Sequence, residues 1–159
     1  MIEVSVHPAI QPVAFLLGRW RGEGAGQYPT IKPFRYREEA AFGHNGKPFL
    51  TYSQSTWSAE DGRPLHGEMG YLRMVGEGQA ELVIAQGIGI TEVDTGRVRE
   101  RELVLESCSV GRTPTAKPVT QVRRRIWLEG ETLRYELEMA FAEVPLVNHL
   151  EASLRRVAF

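Results

Sequence analysis

The stretch Glu131–Phe141, ETLRYELEMAF, puts Leu133, Tyr135, Leu137, Met139 and Phe141 on one face of an extended chain, with Arg134, Glu136 and Glu138 on the other. That period of two predicts a strand with one face buried. Nine further segments read the same way: RWRGEGAGQ (19–27), FRYREEAAF (34–42), PFLTYSQSTW (48–57), LHGEMGYLRMV (65–75), AELVIAQ (80–86), GITEVDTG (89–96), RELVLESCSV (101–110), PVTQVRRRIWLEG (118–130) and HLEASLRRVAF (149–159). Turn signals separate them, among them Gly43-His44-Asn45-Gly46, Asp61-Gly62, Gly76-Glu77-Gly78 and Glu129-Gly130. No helical crossover lies between strands, which excludes parallel βαβ units. Ten antiparallel strands in sequential hairpins predict a sandwich or a closed up-and-down β-barrel. The barrel is favoured, because it removes sheet edges and leaves an interior able to hold a ligand.

Only the beginning looks helical. HPAIQPVAFLLG places Ile10, Val13, Ala14 and Leu17 at helical spacing, with Gly18 as a stop and Pro8 and Pro12 limiting the helix to about two turns.

The 159 residues fit one domain spanning the chain, with 42% hydrophobic and 25% charged residues and a net charge of −1. Nothing in this balance points to nucleic acid. Arg123-Arg124-Arg125, the tightest basic run, reads as a solvated strand face. The single cysteine, Cys108, excludes an internal disulfide and reads as a quiet, partly buried thiol. MIEVSVHPAIQP lacks the basic start and apolar core of a signal peptide, and no apolar run approaches the roughly 20 residues of a membrane span. A cytoplasmic protein without membrane contact is expected.

The stretch Gly18–Thr30, GRWRGEGAGQYPT, is rich in glycine yet lacks the Lys-Ser/Thr and the following helix of a phosphate loop. Gly22, Gly24 and Gly26 share one face of a strand. Three absent side chains admit either a neighbouring backbone, as at a barrel closure with Trp20 plugging one end of the core, or a flat ligand.

The same stretch resembles the opening of the nitrobindin family, marked by Gly-x-Trp-x-Gly-x-Gly and then Gly-x-Tyr-Pro-Thr. Here these are Gly18, Trp20, Gly22 and Gly24, followed by Gly26, Tyr28, Pro29 and Thr30. GKPFLTYSQSTW, GRPLHGEMGYLR and AELVIAQGIGITEV resemble its successive strands, and MAFAEVPLVNHLEASLRRV its closing hairpin, so the likeness runs through nearly the whole chain. The resemblance implies a ten-stranded barrel, similar in shape to fatty-acid-binding proteins, holding a largely ferric haem b near one open end. It implies nitric oxide and peroxynitrite as ligands, with peroxynitrite converted to nitrate. It carries the axial histidine onto His149 and a haem-contacting threonine onto Thr30. A homodimer is left open.

The residues agree with that chemistry. A haem iron needs a neutral imidazole nitrogen. With no Cys-x-x-Cys-His, any haem is held non-covalently. Strand parity puts His149, Glu151 and Ser153 opposite Leu150, Ala152 and Leu154, which neither confirms nor excludes an inward His149. His66 is the second candidate, facing the distal side of the cavity or serving structure beside a bulge at Gly67-Glu68. Met139 packs against a porphyrin or is ordinary core. His7 and His44 read as solvated, and Trp20, Trp57 and Trp127 as core. Lys32 and Arg35 lie near enough to consider for the propionates. No nucleophile elbow, acid–base carboxylate pair or zinc spacing is present. From a different class, the same barrel would serve as a haem-free carrier of fatty acids or other apolar molecules.

Overall fold

The computed structural model describes residues 2–158; Met1, and Phe159 at the end of the last expected strand, lie outside the described residues. Ten strands are present: β1 (Gly18–Tyr28), β2 (Ile31–Gly43), β3 (Phe49–Ser58), β4 (Pro64–Gly76), β5 (Gln79–Gln86), β6 (Ile90–Arg99), β7 (Glu102–Arg112), β8 (Val119–Glu129), β9 (Thr132–Phe141) and β10 (Val144–Val157). Each pairs antiparallel with its neighbour in sequence, and β10 pairs with β1, so the sheet closes into an up-and-down barrel as the alternation predicts.

The helix is 3₁₀ over Pro8–Leu16. Its inward residues are Ile10, Val13 and Leu16, three apart, rather than Ile10, Val13, Ala14 and Leu17. With three residues per turn, and Pro12 unable to donate its backbone N–H, the tighter helix aligns those three side chains on one stripe. His7 caps the first turn, its Nδ1 accepting from the Ala9 N–H at 3.1 Å. The helix stops one end of the barrel. Ile10, Val13 and Leu16 join Trp20, Leu50, Leu72, Leu103 and Leu154 in one apolar core, and the Trp20 indole N–H donates to the Leu16 carbonyl at 2.8 Å.

Strand alternation explains the rest of the interior, and it corrects two expectations. Gln54, Thr56 and Ser58 face inward on β3, so Trp57 lies on the outer wall. Val122 and Arg124 face inward on β8, so Trp127 is also outside, with the Arg125 guanidinium 4.0 Å above its ring. Of the three tryptophans only Trp20 is core. Cys108 is exposed rather than partly buried. Asp94 pairs with Ser107 and Val93 with Ser109, so Cys108 is the extra residue of a bulge and escapes the alternation.

The glycines of β1 serve the closure and the rings beside it. A Cβ at Gly22 would overlap the Ser153 carbonyl and the Leu154 backbone on β10; one at Gly24 would overlap the Tyr36 ring, and one at Gly26 the Phe34 ring. The close approach is therefore made by a neighbouring strand and by two aromatic rings that themselves line the cavity.

Candidate functional site

Opposite the 3₁₀ helix the barrel opens into a cavity of about 1250 Å³. The lining is apolar along β1, β2 and β8–β10, with Tyr28, Phe34, Val122, Leu137, Met139 and Leu150, and polar along β3–β5, with Gln54, Thr56, His66, Glu68 and Gln86, which Arg124 of β8 reaches at Glu68. The volume exceeds that of an ordinary small-molecule pocket.

His149 lines this cavity, and its position depends on a bulge. Asn148 pairs with Glu138 and Leu150 with Leu137, leaving His149 as the additional residue on β10. Simple alternation from Leu150, Ala152 and Leu154 would send the ring outward; the bulge re-aims it. Its Nδ1 lies 2.9 Å from the Gln27 carbonyl. A carbonyl only accepts, so Nδ1 carries the hydrogen and Nε2 is left with a free lone pair. Burial lowers the imidazole pKa, the Gln27 bond opposes this, and His66 across the cavity lowers it further. The Tyr28 ring meets the imidazole edge-on at 5.3 Å, and the Tyr28 hydroxyl donates to the Met139 carbonyl at 3.0 Å. A neutral histidine with one nitrogen tied to a carbonyl and the other free is the arrangement of a metal-ligating imidazole.

The other expected residues divide. Met139, His66 and Thr30 all line the cavity. Thr30, with Pro29, forms the exposed turn between β1 and β2 at the rim. His66 pairs with Thr56 in regular register; the bulge falls beside Leu65 rather than at Gly67-Glu68. Its Nε2 stands 3.5 Å from Glu68 Oε1. Gly18 and Trp20 sit at the plugged end, where Arg156 covers the Trp20 ring at 4.5 Å, and Gly22 serves the seam. The opening motif thus spans two jobs, closing one end of the barrel and shaping the other. Lys32 and Arg35 line the rim, joined by Lys117, which no motif had singled out. Among the described residues no cluster of three or more His, Cys, Asp or Glu could hold a bare metal ion.

The polar wall is the principal feature that motif reading missed. Arg124 is not part of a solvated face; it is buried inside the barrel. Its guanidinium makes a fork on Glu92 at 2.9 and 2.8 Å and reaches Glu68 Oε2 at 3.0 Å. Burial pushes the Glu68 carboxyl up, but Arg124 and His66 outweigh it and hold the pKa at about 2. Asp94, 3.7 Å from Arg124, is driven above the usual carboxylate range by burial and then by Glu92 beside it. Alternation alone places Arg124 between the inward Val122 and Ile126, so the signal was present in the sequence.

Glu38 is a further buried carboxyl, outside the set that Arg124 bonds, and Tyr135 donates to its Oε2 at 2.7 Å. Burial raises its pKa from 4.5 to about 7, against the hydrogen bonds from Tyr135 and Gln54. Below pH 4.5 the group is protonated in both the folded and unfolded chain and costs nothing. Between those values only the unfolded chain releases the proton, so stability falls as pH rises, and above pH 7 the full cost is about 3 kcal/mol. Glu38→Gln is therefore expected to gain most of that at pH 8 and little at pH 4.5, which urea unfolding at the two pH values would measure.

A family model described as "THAP4-like, heme-binding beta-barrel domain" matches residues 9–156. "Peroxynitrite isomerase 2" of Mycobacterium ulcerans strain Agy99 is 49% identical over 157 residues, covering 95% of this chain and 96% of that protein. "Peroxynitrite isomerase 1" of Mycobacterium tuberculosis strain H37Rv is 49% identical over 156 residues, covering 94% and 95%. The crystal structure of Rv2717c from M. tuberculosis superposes with a TM-score of 0.91 at 46% identity, over 97% of this chain and all of that one. With its fold, its cavity and its relatives in agreement, the chain belongs to the THAP4-like heme-binding β-barrel family, the nitrobindins.

Proposed function

We propose that the cavity holds a non-covalent, ferric haem b with His149 Nε2 as its axial ligand, and that the protein isomerises peroxynitrite to nitrate and binds nitric oxide. The observation that carries this reading is His149 itself: anchored through Nδ1 to Gln27, kept neutral by burial, and bearing its free nitrogen in a wide cavity. When bound, the haem supplies an iron that acts as Lewis acid toward peroxynitrite.

The chain's own residues supply the rest. The apolar side chains of Phe34, Leu137, Met139 and Leu150 offer a macrocycle a dry surface. Lys32 and Lys117 at the rim offer positive charge for propionates, with Thr30 as a hydroxyl donor. His66 lines the same cavity from β4 and offers a second imidazole to a bound ligand. Little in this interior favours a fatty-acid carrier. A buried carboxylate headgroup needs a cation, and Arg124 is already claimed by Glu68 and Glu92.

The test is an absorption spectrum after one equivalent of hemin, before and after nitric oxide, followed by peroxynitrite decay. A sharpened Soret band that shifts with nitric oxide, and faster peroxynitrite loss with nitrate as product, are expected. A spectrum no different from free hemin overturns the reading.

A further inference from the structure

We propose that Tyr135, Tyr36 and Glu38 form a redox site, in which Tyr135 gives an electron to a one-electron oxidant in the cavity while its phenolic proton passes to Glu38. Three observations carry this. Tyr135 donates its one hydrogen to Glu38 Oε2 at 2.7 Å, so the 2.7 Å contact between the two tyrosine hydroxyls is made by Tyr36 donating to Tyr135. Tyr36, only 1% exposed, lines the cavity, and its ring lies where a Cβ on Gly24 would stand, so the motif glycine seats this ring. Glu38, 3% exposed, has no cation of its own: Arg124 bonds Glu92 and Glu68, and Glu38 is left with neutral hydrogen-bond partners.

A buried carboxylate without an ion pair is costly, and an amide would fill the same space. What a carboxylate adds is a base. A phenol oxidised with nowhere to send its proton is left as an unstable cation; here the proton crosses a single short hydrogen bond. The Tyr135 O–H bond breaks, an O–H bond forms on Glu38, and the electron leaves for the oxidant. With nitrogen dioxide, the one-electron oxidant released by homolysis of peroxynitrous acid, the products are nitrite and a neutral tyrosyl radical that keeps its hydrogen bond from Tyr36. The site would trap nitrogen dioxide before it leaves the barrel. That source of oxidant rests on the function proposed above; the tyrosine site itself does not need haem.

The experiment therefore uses the haem-free protein at pH 8, oxidised by azide radicals from pulse radiolysis, with the tyrosyl radical read by transient absorbance and freeze-quench EPR. Exposed aromatics such as Tyr71, 50% exposed, meet the oxidant as well, so Tyr71→Phe is the reference variant. In the wild type and in Tyr71→Phe, a tyrosyl population that outlives the initial oxidation is expected. Tyr135→Phe should remove that population, and Glu38→Gln, which keeps the shape and the acceptor, should slow its formation on the order of 100-fold. Tyr36→Phe should shorten its lifetime. Unchanged radical yield and kinetics in both Tyr135→Phe and Glu38→Gln overturn the proposal. A failed hemin titration beside these radical results would overturn the haem reading alone.

Discussion

Arg124→Leu is expected to destabilise the protein by about 3–5 kcal/mol. The cost comes from what is left behind rather than from the lost contacts. Glu92 and Glu68 are almost fully enclosed, and their closest cation is this one guanidinium. Without it two carboxylates face each other, and Asp94, in a low-dielectric interior and must take up protons to remain. For a domain of ordinary stability that is a large share of the whole, and the thermal midpoint should fall by roughly 10 °C or more. The loss should shrink at low pH, where protonation removes the uncompensated charge. Adding Glu92→Gln and Glu68→Gln to Arg124→Leu should recover much of it, because the penalty belongs to the broken set and not to the missing arginine. Arg123→Leu, on the exposed side of the same strand, should change little. Urea unfolding of the variants at pH 7 measures each; a loss under about 1 kcal/mol for Arg124→Leu would mean that these carboxylates are not held ionised by it.

Arg124 shows what the sequence carries. Three consecutive arginines look like a basic patch when taken as composition. Taken as a strand, the middle one shares a face with Val122 and Ile126, and its neighbours share the other with Trp127. The same parity sends Glu38 inward between Tyr36 and Ala40, and puts Trp57 outside, on the face of Ser55 along its own strand and opposite Arg37 on β2. The period of two is legible along the regular stretches of strand, where parity and not hydrophobicity decides the face. The N-terminal helix teaches the same lesson with a period of three, since Ile10, Val13 and Leu16 were there to be counted.

Bulges were not legible. Cys108 and His149 each depend on one extra residue in a strand, and an insertion of one changes which face every later side chain takes. At His149 the local alternation decided nothing, since it neither confirms nor excludes an inward ring. It was the family resemblance, on Gly18, Trp20, Gly22, Gly24 and the final His-Leu, that pointed to the cavity. The close packing of Tyr36 on Gly24 could not be read either, because it joins two strands through a register that a single sequence does not state.

His149→Ala should weaken hemin binding by at least about 100-fold, since disturbing only the partner of a ligating histidine already costs 10–100-fold. Apolar contact will hold some hemin in the cavity regardless, so the discriminating signs are spectral: a broadened Soret band, and return of the sharp band when free imidazole is added to fill the space. His66→Leu is the necessary companion. Its Nε2 faces Glu68 at 3.5 Å, whereas His149 presents a nitrogen that makes no other hydrogen bond among the described residues. The two variants should therefore separate, His149→Ala losing the sharp band and His66→Leu keeping it while altering the response to nitric oxide. A reversal, with hemin retained in His149→Ala and lost in His66→Leu, would move the axial bond to β4. The Gln27 contact would then be structural, with the bulge on β10 doing no more than seating His149 against Tyr28.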